Sequence, residues 1–161
     1  MIRTLLFCLS LLWMPTIAFA WAGTVVAVHD GDTVTVEDAQ GQRHKVRIYG
    51  VDAPELRQEY GQEARVMTAR MVMGKTVEII PAQKGKSHRR EVAGIIMLDE
   101  MMVLQDALVS AGLAWVDDRY CKIQVCDLWR THQADAERAE PPRGLWAGGN
   151  IIPPWKWRRM K

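Results

Sequence analysis

Cysteine and histidine are scarce in this chain, with three and four among 161 residues. The histidines (His29, His44, His88 and His132) show no paired spacing of the kind zinc needs. Each reads as a surface or turn residue, with His29 and His88 nearest the candidate site described below. Charge of either sign is also missing in bulk: 21 Lys+Arg against 19 Asp+Glu leave a formal +2. That excludes a protein that grips nucleic acid over its whole surface, so any polyanion site must be a local cluster. No Gly-x-Ser-x-Gly nucleophile motif occurs. Gly85-Lys86-Ser87 is no nucleotide-hydrolase phosphate loop, because its first glycine would fall at Ile80 and a strand is predicted where the helix should follow. There is no repeat or low-complexity tract.

What is present is an ordinary globular composition, 48% hydrophobic and 25% charged, on a chain long enough for one domain with a real core. Residues 1–20 have the layout of a secretory signal peptide. Arg3 gives a positive start, Leu5 to Trp13 an apolar stretch, Pro15 a break, and Ala18-Phe19-Ala20 a small-x-small cleavage pattern. The apolar run is too short for a comfortable membrane span, so cleavage is expected after Ala20, with an uncleaved anchor as the alternative. Export then places residues 21–161 outside the cytoplasm, periplasmic or secreted, without stable membrane association. Cys121 and Cys126 remain, and an exported pair five positions apart is expected as a short-loop disulfide, two free thiols being the alternative. On one continuous helix the sulfurs would point apart, so the bond requires a turn or helix start between them.

The run Thr24–Val28, then Asp30-Gly31, then Thr33–Val36 predicts a hairpin, with glycine supplying a positive φ at the turn. A second turn at Asp38–Gly41 leads into an alternating strand, Lys45–Val51. Asp32 then starts the second strand and Asp52 ends the third. A helix is predicted over Glu63–Met73 with Ala64, Met67 and Met71 on its inner face, then a strand at Thr76–Ile80 and another at Val92–Leu98. Two further helices follow, one around Val103–Ala111 and one over Val125–Glu140, the latter stopped by Pro141-Pro142. Residues 147–161 read as an irregular tail rich in Pro, Trp and basic residues. Five short strands with a helix between the third and fourth fit a five-stranded OB-fold barrel, with the two C-terminal helices outside it.

The chemistry concentrates between residues 30 and 55. Carboxylates at neighbouring strand ends can hold a hard divalent cation, and Arg47 offers the planar fork that suits phosphate. Glu55 is left over as a base. Cation, phosphate clamp and base are the parts of a phosphodiesterase; the duller reading is that Arg47 simply salt-bridges the aspartates.

These segments resemble the staphylococcal nuclease-like (thermonuclease) family. The likeness rests on Val28-His29-Asp30-Gly31-Asp32-Thr33-Val34, on Val46-Arg47-Ile48-Tyr49-Gly50-Val51-Asp52-Ala53-Pro54-Glu55, and on Tyr60-Gly61-Gln62-Glu63-Ala64. Leu108–Ala114 and Gly144-Leu145-Trp146 extend it over roughly Gly23 to Trp157. The resemblance implies one calcium ion on Asp32, Asp52 and the backbone carbonyl of Ala53, with magnesium as the other candidate. Many members have threonine at that last position, but a carbonyl ligand is indifferent to the side chain. It also implies Glu55 as general base and Arg47 as a contact to the scissile phosphate. Asp30 either reaches the metal through water or forms the turn.

The family's second arginine follows an Asp-x-Tyr-Gly pattern just before the fifth strand. Alignment on Val92-Ala93 assigns that role to Arg90, but here the stretch reads Lys86-Ser87-His88-Arg89-Arg90. The aspartate, tyrosine and glycine are gone, which removes the family's nucleotide-phosphate tyrosine. Lys84, Lys86, His88 and Arg89 supply charge in its place, and Arg89 is the substitute for Arg90; a solvated basic loop is the alternative. In the tail, Trp155-Lys156-Trp157-Arg158-Arg159 could stack nucleic-acid bases, although packing of the tryptophans on the barrel is the favoured reading.

The resulting expectation is an exported, monomeric, metal-dependent endonuclease acting on DNA, and on RNA as a second substrate, with little sequence preference. The rival is a non-catalytic OB-fold module that binds nucleic acid or a protein partner. A structural envelope protein is a third reading, supported by the leader alone.

Overall fold

The computed structural model describes residues 20–82, 91–99, 102–148 and 151–160. Strands β1 (Trp21–Val28), β2 (Thr33–Asp38), β3 (Arg43–Ile48), β5 (Thr76–Pro81) and β6 (Glu91–Met97) close a barrel in the order β1-β2-β3-β6-β5. Closure depends on β3 and β6 running parallel, with Val46 opposite Val92 and Arg47 opposite Ala93, while the other neighbours are antiparallel. Side chains two apart on one strand share a face. The pairs Val34/Val36, Val46/Ile48 and Val77/Ile79 therefore all point inward and are buried. Each contributes about 1.5–3 kcal/mol through burial.

Helix α1 (Gly61–Val72) sits between the third and fourth barrel strands, as predicted. Its buried line is Ala64, Thr68 and Val72, with Met67 and Met71 only partly covered at its edge. Thr68 takes the inward position instead of the methionines because its hydroxyl donates to the carbonyl of Gly31 at 2.7 Å, which satisfies the buried oxygen. Helices α2 (Leu104–Ser110) and α3 (Val125–Arg138) pack outside the barrel, joined where the Trp129 indole N–H of α3 donates to Asp106 of α2.

Three expectations are corrected. The third strand does not run on to Asp52: it stops at Ile48, turns at Tyr49-Gly50, and resumes as β4 (Val51–Asp52), paired with β7 (Trp115–Val116). Gly50 makes this possible with φ 76°, and a Cβ there would lie 2.5 Å from the Cys121 sulfur. Gly31, by contrast, is not among the positive-φ glycines. Its role is space, since a Cβ would sit 2.7 Å from the β-carbons of both Ala53 and Ala64. Third, the tail has structure: Gly144–Ala147 forms a 3-10 turn and Pro154–Trp157 a short helix, α4. Proline starts that helix readily because it lacks an N–H the first turn would leave unpaired.

Cys121 and Cys126 are bonded, with Cα atoms 5.7 Å apart. Cys126 is the second residue of α3, so the bond spans a turn and a helix start. The leader before Ala20 and the loop carrying Lys84, Lys86, His88, Arg89 and Arg90 lie outside the described residues.

Candidate active site

Asp32 immediately precedes β2, directly beside the Thr33–Arg47 pair of the β2–β3 ladder. Its own carbonyl accepts from the Ile48 N–H at 2.8 Å. Asp30 caps the turn before it, accepting the Asp32 N–H at 3.1 Å, so the turn reading of Asp30 holds. Asp52 arrives from the other side on β4. Both carboxylates are almost fully buried, at 2% and 1% exposure. The segment Ala53-Pro54-Glu55 then runs past Asp32, whose Oδ2 accepts the Ala53 N–H at 2.7 Å. Glu55 lies at the rim, its side chain about a third exposed, in a turn closed by Gln58 N–H to Glu55 carbonyl at 2.8 Å.

Arg47 ties the two aspartates together. Its Nη2 lies 3.1 Å from Asp32 Oδ2 and 2.8 Å from Asp52 Oδ1, and its Nη1 lies 2.9 Å from Asp32 Oδ1. One cationic nitrogen thus meets a carboxylate oxygen from each aspartate, so the two acids converge on a single point. The salt-bridge reading of Arg47 and the ligand reading of the aspartates describe one cluster. Among the described residues no three His, Cys, Asp or Glu side chains gather as a metal site. The candidate donors are two converging carboxylates with the Ala53 backbone beside them. All are oxygen donors, which fits a hard divalent cation that keeps several waters.

Burial pushes the Asp32 carboxyl up to about 7, with the neighbouring Asp30 and Asp52 charges adding to it, against the pull of Arg47 and the Ala53 N–H. Burial also works against the charge of Arg47, but Asp32 and Asp52 outweigh it and keep the guanidinium firmly protonated.

The site opens into a cleft of about 640 Å³, whose lining includes Asp30, Asp52, Glu55, Lys45, Arg47, Tyr49, Arg119 and Arg158. The profile of the family described as staphylococcal nuclease homologue matches residues 45–148. An Escherichia coli protein described as an uncharacterized endonuclease is 34% identical over 139 residues, which is 86% of each chain. The chain belongs to the staphylococcal nuclease family. It is accordingly a hydrolase of the nuclease class, and the closed barrel with outer helices is that family's OB architecture. A Haemophilus influenzae protein, also described as an uncharacterized endonuclease, is 30% identical over 85% of this chain and 72% of its own. A rice protein described as probable staphylococcal-like nuclease CAN2 is 31% identical over 76% of this chain but only 31% of its own length.

Within this nuclease fold, two further arginines line the cleft, Arg119 without any motif and Arg158 from the Trp155–Arg159 stretch that could stack bases. Arg119 is held by Asp117, Nε to Oδ1 at 2.8 Å and Nη2 to Oδ2 at 2.6 Å, and its Nη2 lies 3.9 Å from Asp52. Burial alone would raise the Asp117 carboxyl, yet the Arg119 hydrogen bonds prevail and hold it below the usual carboxylate range. Arg158 comes from the tail. It donates to both oxygens of Asp52, at 2.7 and 3.1 Å, and to Glu55 Oε1 at 2.8 Å. Hydrogen bonding to Asp52, and then to Glu55, raises the affinity of Arg158 for its proton beyond its already high value. His29 is turned to Thr35, its Nε2 2.8 Å from the hydroxyl, and His44 pairs with Asp38 at 2.6 Å. Neither reaches the aspartates.

Proposed function

We propose that this nuclease is exported, depends on a divalent cation, and cleaves the phosphodiester bonds of DNA, and of RNA as a second substrate, with little sequence preference. The observation that carries the reading is the convergence of buried Asp32 and Asp52 on one point, with Glu55 at the open rim. Asp32, Asp52 and the Ala53 carbonyl would hold the ion, calcium first and magnesium second. When bound, such an ion polarises a phosphoryl oxygen and offsets its charge. Arg47 would clamp the scissile phosphate. Glu55 would take a proton from the attacking water; Arg158 bonds Oε1, and Oε2 can receive that proton. The new bond forms between water oxygen and phosphorus, the bond to the 5′ oxygen breaks, and the product keeps a 3′ phosphate. Arg90, with Arg89 as substitute, would supply the second arginine, and Lys86 and His88 would add positive charge along the substrate path.

A cleft of this size at a barrel rim suits a flexible single strand, whose phosphate could settle onto the cation that the aspartates would hold. The small-x-small pattern ending at Ala20 supports export, and no helix among the described residues is long and apolar enough to cross a membrane. The protein is proposed to act as a monomer. Purified protein should cut single-stranded DNA in calcium or magnesium at low salt and stop in chelator. Intact DNA under those conditions, with binding that survives chelation, would instead establish the binding-module alternative.

A further inference from the structure

The matched family span ends at residue 148, yet Arg158 lies inside the cleft. We propose that Arg158 is a phosphate-contacting residue of this active site, delivered by the C-terminal segment and resting on Asp52 and Glu55 until substrate arrives. The proposal builds on the phosphodiesterase reading above.

The segment is fixed to the body of the protein before it reaches the cleft. The Gln58 side-chain amide donates to the Ile152 carbonyl, and Pro154 is buried. The Trp155 ring meets Trp115 edge-on at 6.3 Å, and the Arg119 guanidinium lies 5.0 Å above the same ring. Two consecutive prolines limit the backbone where the helix begins. The guanidinium of Arg158 is therefore aimed by packing, while its side chain remains 41% exposed and open to a ligand.

Its partners say what it can bind. Arg158 spans Asp52, a candidate cation ligand, and Glu55, the candidate base. A phosphate attacked by water from Glu55 must lie between those two groups, within reach of the same nitrogens. A guanidinium fork that grips carboxylate oxygens grips phosphate oxygens by the same geometry. The cleft is lined by four acids, Asp30, Asp52, Glu55 and Asp117, set against Lys45, Arg47, Arg119 and Arg158, so a polyanion needs cations that can exchange a carboxylate for a phosphate as it enters. Arg119 is committed to Asp117 through two hydrogen bonds. Arg158 makes three such bonds, but to the candidate ion ligand and the candidate base themselves, so a cation arriving at Asp52 would compete with it there.

The test measures anisotropy of a short fluorescein-labelled single-stranded DNA with calcium present, using full-length protein in a Glu55→Gln background. Arg158→Ala should weaken binding about tenfold or more, as for a lost charge-assisted hydrogen bond. It should also reduce the salt slope by about 0.7, the value for one phosphate contact on a single strand. Arg138→Ala, an exposed arginine at the end of α3, should stay within about threefold. If the alanine variant melts below the assay temperature, Arg158→Gln carries the test with the same expected loss. Unchanged or tighter DNA binding would overturn the proposal, the tighter result marking Arg158 as an inhibitory plug. Failure of the phosphodiesterase reading is distinguishable, because wild-type protein would then leave the single-stranded DNA intact in calcium.

Discussion

Arg158 and Asp52 are 106 positions apart in the chain, yet both oxygens of the Asp52 carboxylate accept hydrogen bonds from that one guanidinium. A cation binding at Asp52 must therefore displace or share a group already there. Removing Arg158 should tighten calcium binding, up to about tenfold, by relieving repulsion and freeing Oδ2, while Oδ1 keeps its bond from Arg47. Titration calorimetry on Arg158→Ala without nucleic acid measures this directly. Tighter calcium alongside weaker DNA is the expected pair; a purely structural loss would weaken both, and unchanged or weaker calcium binding would contradict the competition.

The raised carboxyl of Asp32 carries a pH dependence of definite sign. A group that holds its proton more tightly folded than unfolded lowers stability as it ionises. In chelator, the contribution of Asp32 should thus be most favourable below its ordinary 3.8 and decline as pH rises to about 7. Asp32→Asn should melt higher than wild type at pH 8, by on the order of 5 °C, and the gap should shrink toward pH 4. Calorimetric melting across that range checks it, and a gap that does not change with pH would rule it out.

Gly31 tests how closely α1 and the Ala53 loop are packed on the turn that carries Asp32. A methyl group there would meet Ala53 and Ala64 at 2.7 Å. Gly31→Ala should cost about 1–3 kcal/mol, the range for overpacking a filled core, and should also slow cleavage by shifting Ala53 against Asp32. Urea denaturation gives the first quantity; a loss below about 0.5 kcal/mol would show that the two elements can separate freely.

Much of this architecture was legible in residue order. Alternating apolar residues in β2, β3 and β5 mark the barrel interior, and the spacing of Asp32, Arg47, Asp52 and Glu55 marks the site, because all four sit on or beside adjacent strands. The exceptions share a cause. Gly31 read as a turn glycine, since nothing local reveals that Ala64 of α1 will press on it. Thr68 replaced the methionines on the buried face of α1 because its partner is a carbonyl 37 positions away. Arg158 read as one more basic residue in an irregular tail. Contacts with Gln58, Trp115 and Arg119, all distant in sequence, bring its segment to Asp52. Arg119 has a local partner in Asp117, two positions away, but its place beside Asp52 depends on the pairing of β4 with β7. Residues whose neighbours are local could be placed from sequence; those placed by contact across the fold could not.

The central claim is that Glu55 activates water beside a cation held by Asp32 and Asp52. The most direct measurement is the single-turnover rate of single-stranded DNA cleavage by Glu55→Gln with saturating calcium. The predicted result is a fall of about 10²–10⁴-fold, the range for losing a general base, with DNA affinity retained. A rate within about threefold of wild type would contradict it.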